Sequence, residues 1–364
     1  MTKPEPTDLG AVRTQIDAID AQLHQLLNDR ARLAQQVGIS KTSSGSTVDF
    51  YRPEREAQVL RMVKERNQGP LRTEDLLRLF REIMSACLAQ QEPLKVAFLG
   101  PEGTFTQTAV LTHFGHAVRA LPLASVDEVF HEVESGAVDF GVVAIENSTE
   151  GMVINTLDRF LNSSARICGE IELRIHHYLM GRMQSLEGIK RICSHQQALA
   201  QCRLWLDENL PAVERVAVTS NAEGARRARN ADDAAAIGGE SAAHVYGLKK
   251  VIMKSIEDDD DNTTRFLVIG RKIFPPSGHD RTSILVFIHD KPGALFDVLS
   301  PFAQHGISMN RIESRPSHQA KWEYGFFIDL AGHVEDESMK QALAELKAHS
   351  AQIKVLGSYP VAIP

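Results

Sequence analysis

The sequence predicts a multidomain chain in which an all-α unit is followed by an α/β unit and then by a small α+β unit. Three observations carry this prediction. Up to about Glu92, apolar residues recur at helical spacing and β-branched runs are almost absent. From Lys95 onward, short β-rich runs alternate with helical stretches. After a proline-containing linker, Ile273 to Asp280, the order becomes strand, helix, strand, strand, helix, strand. The boundaries follow as residues 1–92, 93–272 and 281–364.

In the first unit, Val12, Ile16, Ile19, Leu23, Leu26, Leu33 and Val37 recur at alternating steps of four and three, which is an amphipathic helix with a coiled-coil-like seam. Arg30 occupies the seam position between Leu26 and Leu33, and Lys41 ends the stripe one turn beyond Val37. A buried guanidinium costs several kcal/mol unless an anion meets it. Two cations on one inward face therefore suggest a pocket for carboxylates or phosphates; an internal ion pair with Glu56 or Asp29 is the alternative. A second helix starts at Pro53, carries Arg55 and Glu56, and stops before Gly69-Pro70. A third begins near Thr73, with Leu76, Phe80, Ile83 and Cys87 on one face and Gln91 one turn further. Arg13 and Arg30 are 17 positions apart, or roughly 25 Å along a straight helix, so one small ligand cannot touch both. If Arg13 is functional, it serves a site on another copy of the chain. A helical homodimer would also bury the long first helix.

The second unit reads as KVAFLG, VDFGVVAI, IKRICS, ERVAVTS and AAAIGG, closed by RFLVIGR, with polar loops and helices between them. Its polar clusters follow strands, where helix N-termini gather anions. They are Gly100 to Thr106, Glu146-Asn147-Ser148-Thr149, Ser194-His195 before the helix with Gln201, and Thr263-Thr264-Arg265-Phe266. Taken singly, each Ser or Thr is more often a helix cap than a catalyst. No histidine has a nucleophile at a recognisable spacing, and no Walker or Rossmann glycine pattern occurs. In the third unit, Gly293-Ala294-Leu295-Phe296 opens the first helix and Glu313-Ser314-Arg315-Pro316 ends the second strand. The glycine permits close backbone approach and the helix N-terminus favours a carboxylate, though ordinary turn chemistry gives the same pattern.

Composition narrows the classes. A net charge of −7 without a basic block argues against a nucleic-acid partner. Four scattered cysteines, without CxxC pairs or histidines at metal spacing, suit a reducing compartment and no zinc site. The polar start of the chain and the lack of a long apolar stretch predict a cytoplasmic protein with no membrane span.

Three family resemblances sharpen this reading. The runs VRTQIDAIDAQLHQLLNDRARLAQQVGISK, YRPEREAQVL and LFREIMSACLAQQ resemble the all-helical chorismate mutases. That likeness implies a shared dimer site in which Arg30 and the partner's Arg13 clamp the two carboxylates of chorismate. It gives Lys41 and Gln91 hydrogen bonds to the ether oxygen, and places Arg55 and Glu56 near the ring hydroxyl. Two positions depart from the best-known members: Arg52 stands where an acidic residue is usual, and Cys87 where a serine is.

The stretches GPEGTFTQTA, GVVAIENSTEG, SHQQALAQC, AAIGGESAAHVYGL and NTTRFLVIG resemble prephenate dehydratase. Its fold is two α/β lobes around a cleft, similar to periplasmic binding proteins. The resemblance implies Thr264 as the catalytic hydroxyl and Arg265 as carboxylate partner. Asn147, Ser194 and Gln201 would line the cleft, with Glu146 and Thr104 nearby. Gln196 replaces the proline usual after Ser-His. The GALF and ESRP motifs resemble the ferredoxin-like ACT regulatory domain, implying that Gly293, Ala294, Leu295, Glu313, Ser314 and Arg315 form a phenylalanine site between paired domains.

In this order the three units resemble the bifunctional chorismate mutase/prephenate dehydratase family, implying two steps of phenylalanine synthesis inhibited by phenylalanine. Neither reaction needs a metal or organic cofactor. Two alternatives stand beside it: an arogenate dehydratase, and an amino-acid-sensing binding protein with relic catalytic units.

Overall fold

The computed structural model describes residues 8–43, 51–90, 92–288, 291–316, 324–349 and 352–363, with the backbone alone for 38, 40–43 and 348–349. Three helices open the chain: α1 (Leu9–Ser43), α2 (Pro53–Arg66) and α3 (Thr73–Ala89). Pro53 takes the first turn of α2, where its missing N–H costs no hydrogen bond. The helix α1 touches α3 but leaves its seam open: Ile16, Ile19, Leu23, Leu26, Leu33 and Val37 are all at least half exposed. The predicted apolar seam therefore exists, and a single chain does not cover it.

The α/β unit forms two lobes. In the first, β1 (Lys95–Leu99), β2 (Arg119–Leu123), β3 (Phe140–Asn147), β4 (Gly151–Met152), β5 (Arg166–Arg174) and β11 (Thr263–Gly270) build one sheet with the order β2-β1-β3-β11-β5 and β4 beside β3. Helices α4 (Phe105–Phe114), α5 (Val126–Ser135) and α6 (Ile154–Asn162) cover it. In the second, β6 (Tyr178–Gly181), β7 (Arg191–His195), β8 (Glu214–Val218), β9 (Ala234–Gly238) and β10 (Lys249–Lys250) order as β10-β6-β9-β7-β8. Its helices are α7 (Gln196–Gln201), α8 (Arg203–Asn209), α9 (Asn221–Arg229) and α10 (Glu240–Tyr246). The chain crosses between lobes twice, and Glu257 ties the crossings together through His176 Nδ1 and the His177 amide, each at 2.8 Å.

The last unit has the predicted βαββαβ order: β12 (Asp280–Ile288), α11 (Ala294–Gln304), β13 (Met309–Pro316), β14 (Tyr324–Ala331), α12 (Glu337–His349) and β15 (Gln352–Pro360). Its sheet runs β13-β14-β12-β15, and the pairings are antiparallel.

The units are joined by packing as well as by chain. One apolar cluster holds Phe130, Val143, Phe160 and Ile167 of the first lobe together with Leu285, Phe327, Leu356 and Tyr359 of the last unit. Tyr51, just before α2, packs with Phe114 and Phe140 of the α/β unit and with Phe274 of the linker. At one point two sheets nearly touch: a Cβ on Gly357 of β15 would lie 2.1 Å from the Ile167 carbonyl oxygen of β5. Only glycine permits that approach.

Candidate active sites

The first cavity has a volume of about 460 Å³ and lies between α1, α2 and α3, with the start of the α/β unit as its floor. Arg30, Arg52, Arg55, Glu56 and Cys87 all line it, so residues from three separate helices converge as the sequence suggested. The Arg30 side chain makes no ion pair or hydrogen bond among the described residues. Its alternative partner Asp29 is engaged by Arg32 and by Gln25 Nε2, the latter at 3.1 Å. Arg52 caps the start of α2 and donates from Nε to Glu54 at 2.6 Å, while Cys87 is buried in the wall.

Glu56 is enclosed between this cavity and a smaller one, of about 110 Å³, lined by Arg81, His113, Glu170 and the segment Pro360 to Ile363. Burial pushes its carboxyl up to about 7, with the Arg81 guanidinium pulling the other way. Arg13 is exposed, far along α1 from this cavity. The Lys41 side chain and Gln91 lie outside the described residues.

The second cavity, also about 460 Å³, is the cleft between the two lobes, and Thr104, Asn147, Gln201 and Thr264 line it. In-register pairing of β11 with β3 sets Thr264 beside Asn147. Asn147 Nδ2 donates to Thr264 Oγ1 at 2.8 Å and to Asn262 Oδ1 at 2.7 Å. Asn262 Nδ2 in turn donates to Gln201 Oε1 at 3.1 Å, which also lies 2.8 Å from His177 Nε2. Because Thr264 oxygen accepts from Asn147, its own proton is free to be given to something in the cleft. Thr104 caps α4, accepting from the Gln107 amide at 3.4 Å. Burial lowers the His177 pKa, against the pull of Gln201 and Glu257, so the ring is held neutral. Its Nδ1 is buried with no partner among the described residues.

Three expected cleft residues lie elsewhere. Arg265 is next to Thr264 on a strand, so it points to the opposite face of the sheet. There it is buried, donating to Glu170 Oε2 at 2.9 Å, Asp329 Oδ2 at 2.7 Å and Tyr359 Oη at 3.0 Å. Glu146, its in-register neighbour on β3, forms an ion pair with Arg311 of the last unit. Ser194 is fully buried beneath the cleft, its hydroxyl 2.9 Å from Asn221 Oδ1 and 2.8 Å from the Ile237 carbonyl. It steadies Asn221, which does line the cleft. His177 and Glu150 line the cleft, and the buried Asn262 bonds its Asn147 and Gln201; the sequence reading missed all three. Asn262 directly precedes the Thr-Thr-Arg-Phe run, the one local signal that could have found it.

In the last unit Gly293 has φ 83° and caps α11, which requires its lack of a side chain. Ala294 is buried, whereas Leu295 and Phe296 are exposed, Phe296 by 74%. Ser314 pairs with Phe326, and Phe326 with Val286, so the Glu313-Ser314 end of β13 lies at the same end of the sheet as the loop into α11. Arg315 turns away to Asp158 of α6, with Nη2 2.9 Å from one carboxylate oxygen, and does not stand open at that end.

Family profiles match each unit: Chorismate mutase type II over residues 12–92, Prephenate dehydratase over 96–273 and ACT domain over 282–348. A bifunctional chorismate mutase/prephenate dehydratase of Pseudomonas aeruginosa is 54% identical over 359 residues, covering 98% of each chain. One from Neisseria gonorrhoeae is 47% identical over 354 residues, covering 96% of each. The crystal structure of a prephenate dehydratase in complex with L-Phe from Arthrobacter aurescens is 38% identical over 73% of this chain and 90% of that one, with a TM-score of 0.68.

Proposed function

The chain belongs to the bifunctional chorismate mutase/prephenate dehydratase family, and we propose that its two cavities seat the two reactions, one each. It is a bifunctional enzyme of phenylalanine synthesis, converting chorismate to prephenate and prephenate to phenylpyruvate, with an ACT domain suited to regulation by phenylalanine. The observation that carries the assignment of the first cavity is the Arg30 side chain, unpaired among the described residues, on a pocket that also collects Arg52, Arg55, Glu56 and Cys87.

Chorismate rearranges without a covalent intermediate, so the protein must hold a compact dianionic conformer and stabilise charge on the ether oxygen. Arg30 meets one carboxylate, and Arg13 of a second copy meets the other. Lys41 and Gln91 serve the ether oxygen, with Arg55 and Glu56 near the ring hydroxyl. The open seam of α1 supports a homodimer, since burying each large apolar side chain is worth roughly 1.5–3 kcal/mol. The exposed Leu295 and Phe296 support a second pairing surface between ACT domains, where phenylalanine would bind beside Gly293, Ala294, Glu313 and Ser314. A cytoplasmic location is part of the same reading, supported by four free, buried cysteines.

In the cleft, the bond between the ring and its carboxylate breaks, its electron pair aromatises the ring, and hydroxide leaves. Thr264, freed to donate by Asn147, hydrogen-bonds the departing oxygen. With Arg265 on the far face, the substrate carboxylates are left to the N-termini of α4 and α9 and to Ser220 and Asn221. Assay of purified protein for chorismate consumption and phenylpyruvate formation tests the whole reading, with arogenate as a competing substrate. Chorismate consumption without phenylpyruvate would remove the dehydratase assignment.

A further inference from the structure

The register between β3 and β11 sets two residue pairs in succession, Thr264 with Asn147 and Arg265 with Glu146. Strand alternation sends the first pair into the cleft and the second into the contact with the ACT sheet. All the direct partners of that second pair except Glu170 belong to the ACT unit: Asp329 and Tyr359 hold Arg265, and Arg311 holds Glu146. Asp329 is itself fixed by the Ser283 hydroxyl at 2.5 Å, and Ser283 lies 2.7 Å from Tyr359 Oη. Glu170 is buried, binds Arg265 and Arg281, and accepts from the Ala362 amide at 3.1 Å. The ladder is irregular immediately afterwards, with a register shift between Arg265 and Phe266. Pairing with β5 continues unbroken through Thr264 and Arg265, so on the interrupted β3 side it is the side chains of Arg265 and Glu146 that add to the ladder in fixing where Thr264 stands.

We propose that Arg265 and Glu146 are positioning residues of the dehydratase, through which the ACT sheet holds the Thr264–Asn147 pair in its working geometry. The proposal rests on the assignment of Thr264 as the catalytic hydroxyl. Arg265 does not touch substrate. Each of its guanidinium nitrogens is engaged by Glu170, Asp329 or Tyr359, and the sheet separates it from the cleft. A fixed, planar five-donor group is suited to this task because it joins strand β11 to Glu170, β14 and β15 at defined angles. The ACT unit thereby forms the back wall of the dehydratase site, and any state of that unit that moves Asp329 or Tyr359 moves Thr264 with it.

The full-length enzyme tests this with Arg265→Lys, Asp329→Asn and the double variant, measured for dehydratase kcat and KM. Mutase kcat and phenylalanine binding by calorimetry serve as controls for folding. Arg265→Lys is expected to lower dehydratase kcat at least tenfold with KM within about threefold. Asp329→Asn should lower kcat several-fold, again with KM held, and the double variant should be no worse than Arg265→Lys alone, as for one linked unit. A tenfold rise in KM for Arg265→Lys with a wild-type Asp329→Asn would instead make Arg265 a substrate ligand. If both variants keep kcat within twofold, the cluster only joins the domains and the proposal fails. Thr264→Ala separates the two readings. Full activity there removes the catalytic assignment, whereas loss there beside a wild-type Asp329→Asn removes only the coupling.

Discussion

The cavity beside α1 and the cleft between the lobes enclose the same volume, about 460 Å³ each, yet their polar groups are in opposite states. Around the first, the side chains of Arg30 and Glu56 have no hydrogen-bonded partner among the described residues, and one wall is a helix with an uncovered seam. Around the second, Thr264, Asn147, Asn262, Gln201 and His177 form one hydrogen-bonded chain within a single molecule. The difference follows from the chemistry. A rearrangement needs an electrostatic mould, whose charges must stay free until a dianion arrives. An elimination needs one hydroxyl held at a fixed angle, which demands that its neighbours be satisfied beforehand. The first site should therefore be sensitive to assembly and the second to internal geometry.

The comparison is broken most directly at Thr264. Thr264→Ala is expected to lower dehydratase kcat by about 10²–10⁴, the range for losing a positioned proton donor, while mutase kcat is unchanged. An equal fall in both activities would mean that the two sites are not independent. Next in size is Arg30→Ala, expected to cost the mutase about a hundredfold in kcat/KM with the dehydratase intact. Arg13→Ala should be similarly impaired. Mixing the two inactive proteins should restore about a quarter of the sites, because only a mixed dimer has one site with both arginines. No recovery on mixing would reject the shared site.

A smaller effect sharpens the contrast at the point where the sheets touch. Gly357→Ala would put a methyl group 2.1 Å from the Ile167 carbonyl oxygen, so β15 and β5 must separate. Overpacking of this kind costs about 1–3 kcal/mol. Calorimetry should show a lower Tm, and dehydratase activity should fall more than mutase activity. An unchanged Tm would show that the two strands can separate freely.

How far the sequence could be read depended on which physical signal each feature left. The order of elements in the last unit was legible because its strands are apolar runs broken by clear turns. Strands β2 and β5 were not. RALPL is a half-exposed edge strand containing a proline, and RICGEIELR carries charges inward to a contact with another unit. That Arg30, Glu56 and Cys87 face one cavity was legible because they interrupt or continue a helical stripe, a pattern that survives without knowledge of the tertiary fold. Arg265 and Glu146 were misassigned for the converse reason. Motif adjacency placed them with Thr264 and Asn147, whereas alternation along a strand separates neighbours onto opposite faces. Ser194 failed differently, since burial depth leaves no trace in a polar loop sequence. Asn262 and His177 act through hydrogen bonds between segments that are distant in the chain, and no local spacing encodes those.

The least effect expected is also the one that ties the first site to the rest of the molecule. Glu56 lies between the cavity beside α1 and the smaller internal cavity, with a carboxyl pushed up to about 7 by burial. Its folded pKa is above the ordinary value of 4.5, so folding is favoured by proton binding below that value, and this contribution is lost as pH rises through about 7. For catalysis the sign is the same. Ionised Glu56 repels a dianionic substrate, so mutase kcat/KM, which reports the free enzyme, should fall by up to about tenfold between pH 6 and 8. Glu56→Gln should flatten that slope while leaving the dehydratase profile unchanged. Arg81 opposes the shift, and its Nη2 is also held by the Ile363 carbonyl at 2.5 Å. Arg81→Gln should therefore move the inflection to higher pH. A flat wild-type profile across this range would mean that Glu56 stays in one protonation state and takes no part in discriminating charge.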